Sequence, residues 1–567
     1  MGSIIKKKIK NKVYYYYVES KRIDGKPKYV NQKYLGTAEK LLNKLAYMDK
    51  PLQEQALYSD ISEFGAVALL YDIASRLCIA EMIDRAAPKR KQGVSVGTYI
   101  LTAAINRAVA PSSTNGLQEW FAASSLPVMT GIRPPAFTPQ NFWNNTCLTE
   151  EMIESAEEAI LGKIISTYAI DTQHLIYDAT NFFTYIDTNK DTELAKRGHS
   201  KEKRNDLRIV GLSMMVTPDC NIPLLHEAYP GNRHDSAEFA IMMEKLKNRY
   251  ESITGKSSDV TVVFDRGNNS RDNIEYLGSG DFKLHYVGGL TKNQVPGLFK
   301  VPRSEYTPLA SDSLAGQSAF RTRAVMFGRE VTAVIVYNPE LERGQLQGIQ
   351  NSREKAETGL AELKQRLINR SETGTTRGKK VTVESVSKNV SSILNAEYMQ
   401  DIFRVEISEK GGYPFLDYHL SGEALEQVRI SHLGRTALFT DRDDFTNEEI
   451  VGAYRSAWHI ESAFKQMKDS DHLAVRPVFH WTDDKIRVHI FTCILAYRLC
   501  CLLVKELNIK GIHVGINHLL DEMSGIRRVS TFFGNIDKPE KVRTFSRGSE
   551  LAEQIEQIYQ LKEKYAG

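Results

Sequence analysis

Cysteine is scarce and scattered in this chain: Cys78, Cys147, Cys220, Cys493, Cys500 and Cys501 form no Cys-x-x-Cys pair. Without paired spacings neither a zinc ribbon nor a disulfide framework is indicated, and a reducing, intracellular compartment fits. Long hydrophobic runs are lacking too. The most apolar stretch, residues 490–504, is interrupted by Arg498 and falls short of the ~20 residues that a membrane-spanning helix needs. It is expected to be a buried core helix. The first residues place lysines where a signal peptide requires an apolar segment, so a cytoplasmic protein with no membrane partner is expected. Charge of one sign is not in excess overall: 74 basic residues against 70 acidic ones leave +4, too little to identify a polyanionic partner. No internal repeat is visible.

What is present points to several folded parts. With 567 residues, 42% hydrophobic and 25% charged, the chain can bury more than one core, and three or more domains are expected. Residues 1–50 hold thirteen Lys or Arg against four Asp or Glu; such a basic arm suits a polyanion, and equally a solvated terminus. Within it, Asp24-Gly25 between two strand-like runs predicts a hairpin, so residues 1–50 read as a small basic β-module. Residues 51–169 are helical in character, with apolar periodicity over 64–83 and 96–108 flanking the basic turn Lys89-Arg90-Lys91-Gln92-Gly93. A helix pair around such a turn is compatible with a DNA-reading helix-turn-helix.

From residue 170 the period becomes strand-like. Runs at 174–178, 207–216, 222–229 and 260–264 predict strands, with a turn at Pro218-Asp219-Cys220-Asn221 and a helix-sized connection before the last. Residues 170–289 are therefore expected to form an α/β core. Residues 290–432 interrupt it as an inserted α+β subdomain, with a hairpin over 320–337 turning near Gly328 and a long charged helix over 339–370 carrying Leu346, Leu360, Leu363 and Leu367. Core character resumes over 433–567. That part has a strand at 435–440, a capping box Thr446-Asn447-Glu448-Glu449 opening a helix over 447–469, the apolar helix near 490–507 and a mostly helical tail.

The helix over 447–469 separates into two stripes when its residues are set 100° apart. Ile450, Ala453, Ala457, Ile460, Phe464 and Met467 form a core face. Tyr454, Trp458, Glu461, Lys465 and Lys468 form the neighbouring face, with Tyr454, Glu461 and Lys468 in steps of seven residues. A solvated face with a Glu461–Lys465 ion pair would produce the same pattern. Two more carboxylates stand where the strands of the core are expected to end, Asp178 after Leu175-Ile176-Tyr177 and Asp265 after Val262-Val263-Phe264. A strand-end turn former explains either aspartate separately. Together with Glu461 they form an all-oxygen ligand set of the kind that holds two divalent ions about 4 Å apart for phosphoryl transfer.

Asp178 in Tyr-Asp-Ala-Thr-Asn-Phe, Asp265 in Phe-Asp-Arg-Gly-Asn-Asn-Ser and Tyr454-x6-Glu461-x6-Lys468 resemble the DDE transposases of bacterial insertion sequences. The likeness is to the subgroup with a Tyr-x2-Arg-x3-Glu-x6-Lys motif and a core split by an insertion. Gly198-His199-Ser200-Lys201 and Pro230-Gly231-Asn232 also look familial. The position of the motif's arginine is held by Ala457, and Arg455 lies nearby on a different face; Lys465, one turn from Glu461, is the available substitute. The four tryptophans, Trp120, Trp143, Trp458 and Trp481, all lie outside the insertion, so a DNA hairpin intermediate of the kind that stacks a base on an insertion-domain tryptophan is not implied.

The resemblance implies an RNase H-like mixed-sheet catalytic core and a transposase that binds the terminal repeats of a mobile element, cleaves them and joins them to target DNA. It implies Asp178, Asp265 and Glu461 as catalytic metal ligands for two Mg²⁺ ions, with Mn²⁺ able to substitute. Tyr454, Lys465 and Lys468 are implied to bind DNA phosphate. Double-stranded DNA is the expected partner, a homodimer in the DNA complex the expected assembly, and a nucleoid-associated cytoplasmic location follows. Two other readings stay open: an RNase H-like structure-specific nuclease, and a catalytically inactive, transposase-derived DNA-binding regulator. The basic N-terminal module and helical region speak against the first, and the intact carboxylate trio against the second.

Overall fold

The computed structural model describes residues 2–9, 12–23, 26–48, 56–87, 93–187, 191–254, 259–279, 282–373, 381–476, 478–535 and 538–566. Asp24-Gly25, most of the basic turn 89–93 and Pro477 lie outside the described residues. The chain divides into two compact units, one of Met1–Asp84, Pro88–Thr146 and Glu506–Gly567, the other of Arg85–Ala87 and Cys147–Lys505.

In the first unit the strands Gly2–Ile9, Lys12–Ile23 and Lys26–Gly36 form an antiparallel sheet, as the alternation of tyrosine, lysine and valine suggests. The helices Gly65–Arg76, Ile79–Ala86 and Val96–Val109 follow. The apolar run over 64–83 is two helices rather than one, because Cys78 turns the chain with a left-handed φ of 54°. The tail is not mostly helical. Arg527–Asn535 pairs with both Lys538–Phe545 and the distant strand Ala56–Glu63, and this pairing places residues 506–567 in the first unit.

The second unit is built on a nine-stranded sheet. Its first five strands are β1 (His174–Thr184), β2 (Arg208–Val216), β3 (Pro223–Pro230), β4 (Val260–Phe264) and β5 (Leu284–Leu290). They lie in the order β3-β2-β1-β4-β5; β1 is antiparallel to β2 and parallel to β4, and β4 is parallel to β5. Three parallel strands with an antiparallel hairpin on one flank are the RNase H-like arrangement. The helix connecting β3 to β4, Asp235–Thr254, covers one face, and its Phe239 packs edge-on against Tyr177 and Phe264. Burying such aromatic and aliphatic side chains stabilises the layer by roughly 1.5–3 kcal/mol each.

The remaining strands extend the sheet beyond β5. They are β6 (Thr307–Pro308), β7 (Ser318–Met326), β8 (Arg329–Tyr337) and β9 (Arg435–Thr440). The β7–β8 hairpin, which turns at Phe327-Gly328 with φ of 52° and 80°, belongs to the main sheet because β8 pairs with β9 and β9 with β5. The insertion's separate core lies further along. It gathers Leu360, Leu363 and Leu367 of the helix Pro339–Thr373 with Val386, Phe403, Leu416 and Leu433.

Two helices, not one, follow the capping box, which forms as expected between Thr446 and Glu449. Asn447–Arg455 (α1) stops at a tight turn where Ser456 donates its hydroxyl to Ala453 O at 2.6 Å, and Trp458–Met467 (α2) starts afresh. A serine hydroxyl competing for a helical carbonyl bends the chain there. The apolar run 490–504 sits in Asp483–Ile509 (α3), and that helix, although long and apolar enough to cross a membrane, is mostly buried inside the protein.

Candidate active site

Asp178 does not end its strand. It is the fifth residue of β1, which continues to Thr184 because β2 pairs with it from Ile176 to that end. What places it is register: Tyr177 lies opposite Phe264 on the parallel strand β4, so Asp178 and Asp265 occupy the next pair of positions on neighbouring strands about 4.8 Å apart. Tyr177 and Phe264 both face the helix Asp235–Thr254. Alternation therefore turns both aspartates to the opposite face.

That opposite face carries α2. Lys468, just past the end of α2, donates 2.9 Å to the Thr180 hydroxyl and lies 5.6 Å over the Phe182 ring, two residues that share the Asp178 face of β1. Glu461 stands seven residues earlier, on the stripe shared with Lys468. Its side chain is exposed, and among the described residues it accepts no hydrogen bond and makes no ion pair with Lys465, which is exposed beside it. Tyr454 reaches the same region from α1. Its hydroxyl closes over Gly289 of β5 so tightly that a Cβ there would lie 2.3 Å from it. Burial first, then the charges of Asp265 and Glu461, push the Tyr454 phenol up, with Arg266 opposing them. One tyrosine thus feels two of the three carboxylates, and the third feels Asp265.

The environments of the three differ. Asp178 is half-buried, and burial pushes its carboxyl up to about 6; Lys201 and the Ala179 N–H, donating at 2.7 Å, pull the other way, and the Asp265 charge adds to the rise. The Asp265 side chain is 66% exposed, and among the described residues its ion-pair partner is its neighbour Arg266 at 3.9 Å. These are under-compensated oxygen donors on one face, a set that suits a hard divalent cation. They do not close into a tight cluster. Among the described residues the carboxylates that do are Glu150, Glu154 and Glu227, within 4.8 Å of one another, and the Lys245 ammonium already fills that position at 3.1, 2.8 and 2.5 Å. An ammonium satisfied by three carboxylates excludes a metal there.

Next to this site lie Lys201 and Asn181, which the sequence showed within motifs but gave no role. Lys201 donates to Ala179 O and lies 3.4 Å from Asp235. Asn181 donates 3.0 Å to His199 O and accepts 3.1 Å from Lys201 N–H. The signal was present in the glycine motifs around 198–201 and 230–232: Gly198 and Gly231 approach so closely that a Cβ on Gly198 would lie 2.1 Å from Gly231 O. Ala457 sits at the turn between α1 and α2, and Arg455 is drawn away to Gln317.

No curated protein matches the chain. Solved structures similar to it include a cryo-EM structure of the piggyBac transposase synaptic complex with hairpin DNA and the Mos1 transposase paired-end complex with left transposon end. The first is 8% identical with a TM-score of 0.37, covering 81% of this chain and 78% of that one. The second is 12% identical with a TM-score of 0.15, covering 35% and 60%. Similarities of that size add nothing to the topology read from strand pairing. The family model described as Transposase DDE domain matches residues 170–499, a span that runs from the start of β1 into α3 and contains Asp178, Asp265 and Glu461, and the chain belongs to that transposase family.

Proposed function

We propose that this transposase cuts and joins DNA by divalent-metal-dependent phosphoryl transfer at Asp178, Asp265 and Glu461. The observation that carries the reading is the register of β1 and β4, which sets two aspartates side by side beneath the helix that carries Glu461. Bound Mg²⁺, or Mn²⁺ in its place, would supply the Lewis acidity that activates an attacking oxygen and stabilises the leaving one. Asp178, set in the sheet, fixes the position of the donor set, while Asp265 and Glu461 offer exposed oxygens from either side. Lys468, held against Thr180, places a positive charge for a phosphate oxygen. Tyr454 offers a phenolic hydrogen to the same backbone. Lys465 is an exposed second cation one turn from Glu461. Water would cut a strand at the element's end, and the freed 3′-hydroxyl would attack target DNA, with no covalent enzyme intermediate. A homodimer would hold two ends together.

DNA flanking the gene should contain matching inverted repeats, and a duplex carrying one is the substrate. Cleavage is expected with Mg²⁺ or Mn²⁺, while Ca²⁺ supports binding without turnover, because the larger ion fits the ligands but not the in-line geometry. Full cleavage in excess chelator would overturn the proposal.

A further inference from the structure

A cleft of about 610 Å³ opens at Lys201, whose charge acts on Asp178, and is lined by Asn181, Gly211 and Tyr229, by the two glycine loops, by the start of the helix Asp235–Thr254 and by Gly267. Its walls are backbone held at close quarters. A Cβ on Gly231 would lie 2.0 Å from Ile209 O, and one on Gly211 would lie 2.3 Å from the Tyr229 ring. Asn181 braces the loop that carries His199 and Lys201.

The charges inside divide into engaged and free. Asp235 is engaged by Lys201 at 3.4 Å and by the Tyr229 hydroxyl at 3.3 Å. Behind the lining, the buried Glu238 is engaged by Arg233 at 2.7 Å and by Ser213 at 2.8 Å. Arg197, His199 and His234 line the cleft and are exposed, and among the described residues their side chains make no hydrogen bond or ion pair. A polar cavity whose acid is already paired and which offers an uncommitted guanidinium beside two imidazoles selects an anion.

Its position says which anion. Lys201 donates to Ala179 O, next to Asp178, and Gly267 is two residues past Asp265. Phosphates of one strand advance about 3.4 Å per nucleotide along a duplex axis, so a strand reacting at the aspartates brings its adjoining phosphates to this cleft. We propose that the cleft binds a phosphodiester of the DNA strand next to the reacting one, through Arg197 and His199. The inference rests on the proposed site at Asp178 and Asp265 for its choice of strand position.

The test is binding, in Ca²⁺, to element-end and target duplexes that carry single neutral methylphosphonate linkages stepped outward from the cut position. For wild type, one linkage adjoining the cut should weaken binding about tenfold, the loss of one charge-assisted contact. Arg197→Ala should bind the unmodified duplex about tenfold more weakly, lower the salt slope by about one, and be indifferent to that same linkage. His199→Ala, also exposed, should show a smaller loss at the same linkage. The duplex in which the effect appears, element end or target, identifies the strand. Arg197→Ala with the wild-type interference pattern and salt slope would overturn the proposal. Because the readout is binding, a protein that shows the pattern yet never cuts would sink the proposed chemistry and leave the cleft standing.

Discussion

Arg498, the one charge in the apolar stretch 490–504, should be worth more to the fold than any exposed ion pair. Its side chain is fully buried, donates 3.0 Å to Glu157 and 2.9 Å to Pro223 O, and so ties α3 to the helix Glu150–Tyr168 and to the start of β3. Glu157 is 1% exposed and its other partner is His226 of β3 at 3.0 Å. Arg498→Met keeps the volume and removes the guanidinium, leaving a buried carboxylate that His226 and Arg249 compensate only in part. Breaking a buried pair from one side costs about 3–5 kcal/mol. Removing both charges in Glu157→Gln/Arg498→Met should recover much of that, because a buried amide beside an apolar chain needs no counter-charge. A protein of two compact units is not a two-state unfolder, so the assay is native-state hydrogen exchange at the amides of Pro223–Pro230, which reports local opening free energy. A loss below about 1 kcal/mol for Arg498→Met, or a double variant as unstable as the two singles combined, would refute the reasoning.

Acid should unfold the same layer. Burial pushes the Glu157 carboxyl up, but His226, Arg498 and Arg249 outweigh it and hold the group down at about 2. A depressed carboxylate gives its full stability above the ordinary range near 4.5 and loses it as pH falls toward 2, about 3 kcal/mol in all. Denaturant midpoints measured from pH 6 to 2.5 should fall in wild type and fall less in Glu157→Gln; equal slopes would contradict this. Lys468→Ala should weaken binding of end DNA and lower the salt slope by about one with the fold intact by circular dichroism, and an unchanged slope would return Lys468 to the solvated surface. Gly289→Ala puts a Cβ where the Tyr454 hydroxyl lies, 2.3 Å away, so Tyr454 must move and cleavage should slow by roughly 10- to 100-fold. Undiminished cleavage would remove Tyr454 from the site.

Local chemistry was legible in the sequence, and long-range pairing was not. The strands at 260–264 and 435–440 and the Thr446 capping box appear as read, since each depends on neighbours within a few residues. Asp178 was read as a strand end because an apolar run stops there; β2 carries the strand on to Thr184. Periodicity could not show the break at Ser456, because a helical wheel continues through a turn that loses little rotation. The β7–β8 hairpin joins the sheet through β9, about a hundred residues later, and Arg527–Asn535 pairs with Ala56–Glu63 from the far end of the chain. Neither contact leaves a trace in local pattern. The glycine motifs at 198 and 231 were visible as motifs, while the reason for them, two backbones in contact, needed the fold.

The central claim is that Asp178, Asp265 and Glu461 form one metal-dependent site for cutting DNA. Its most direct test is cleavage and gel-shift on the same end duplex for wild type, Asp178→Asn, Asp265→Asn and Glu461→Gln. Each isosteric change removes one anionic ligand from a shared site, so each should lower the cleavage rate by about a thousandfold or more. End binding should stay near wild type, because phosphate contacts depend on cations elsewhere. A single variant of the three that cuts at the wild-type rate would contradict the account.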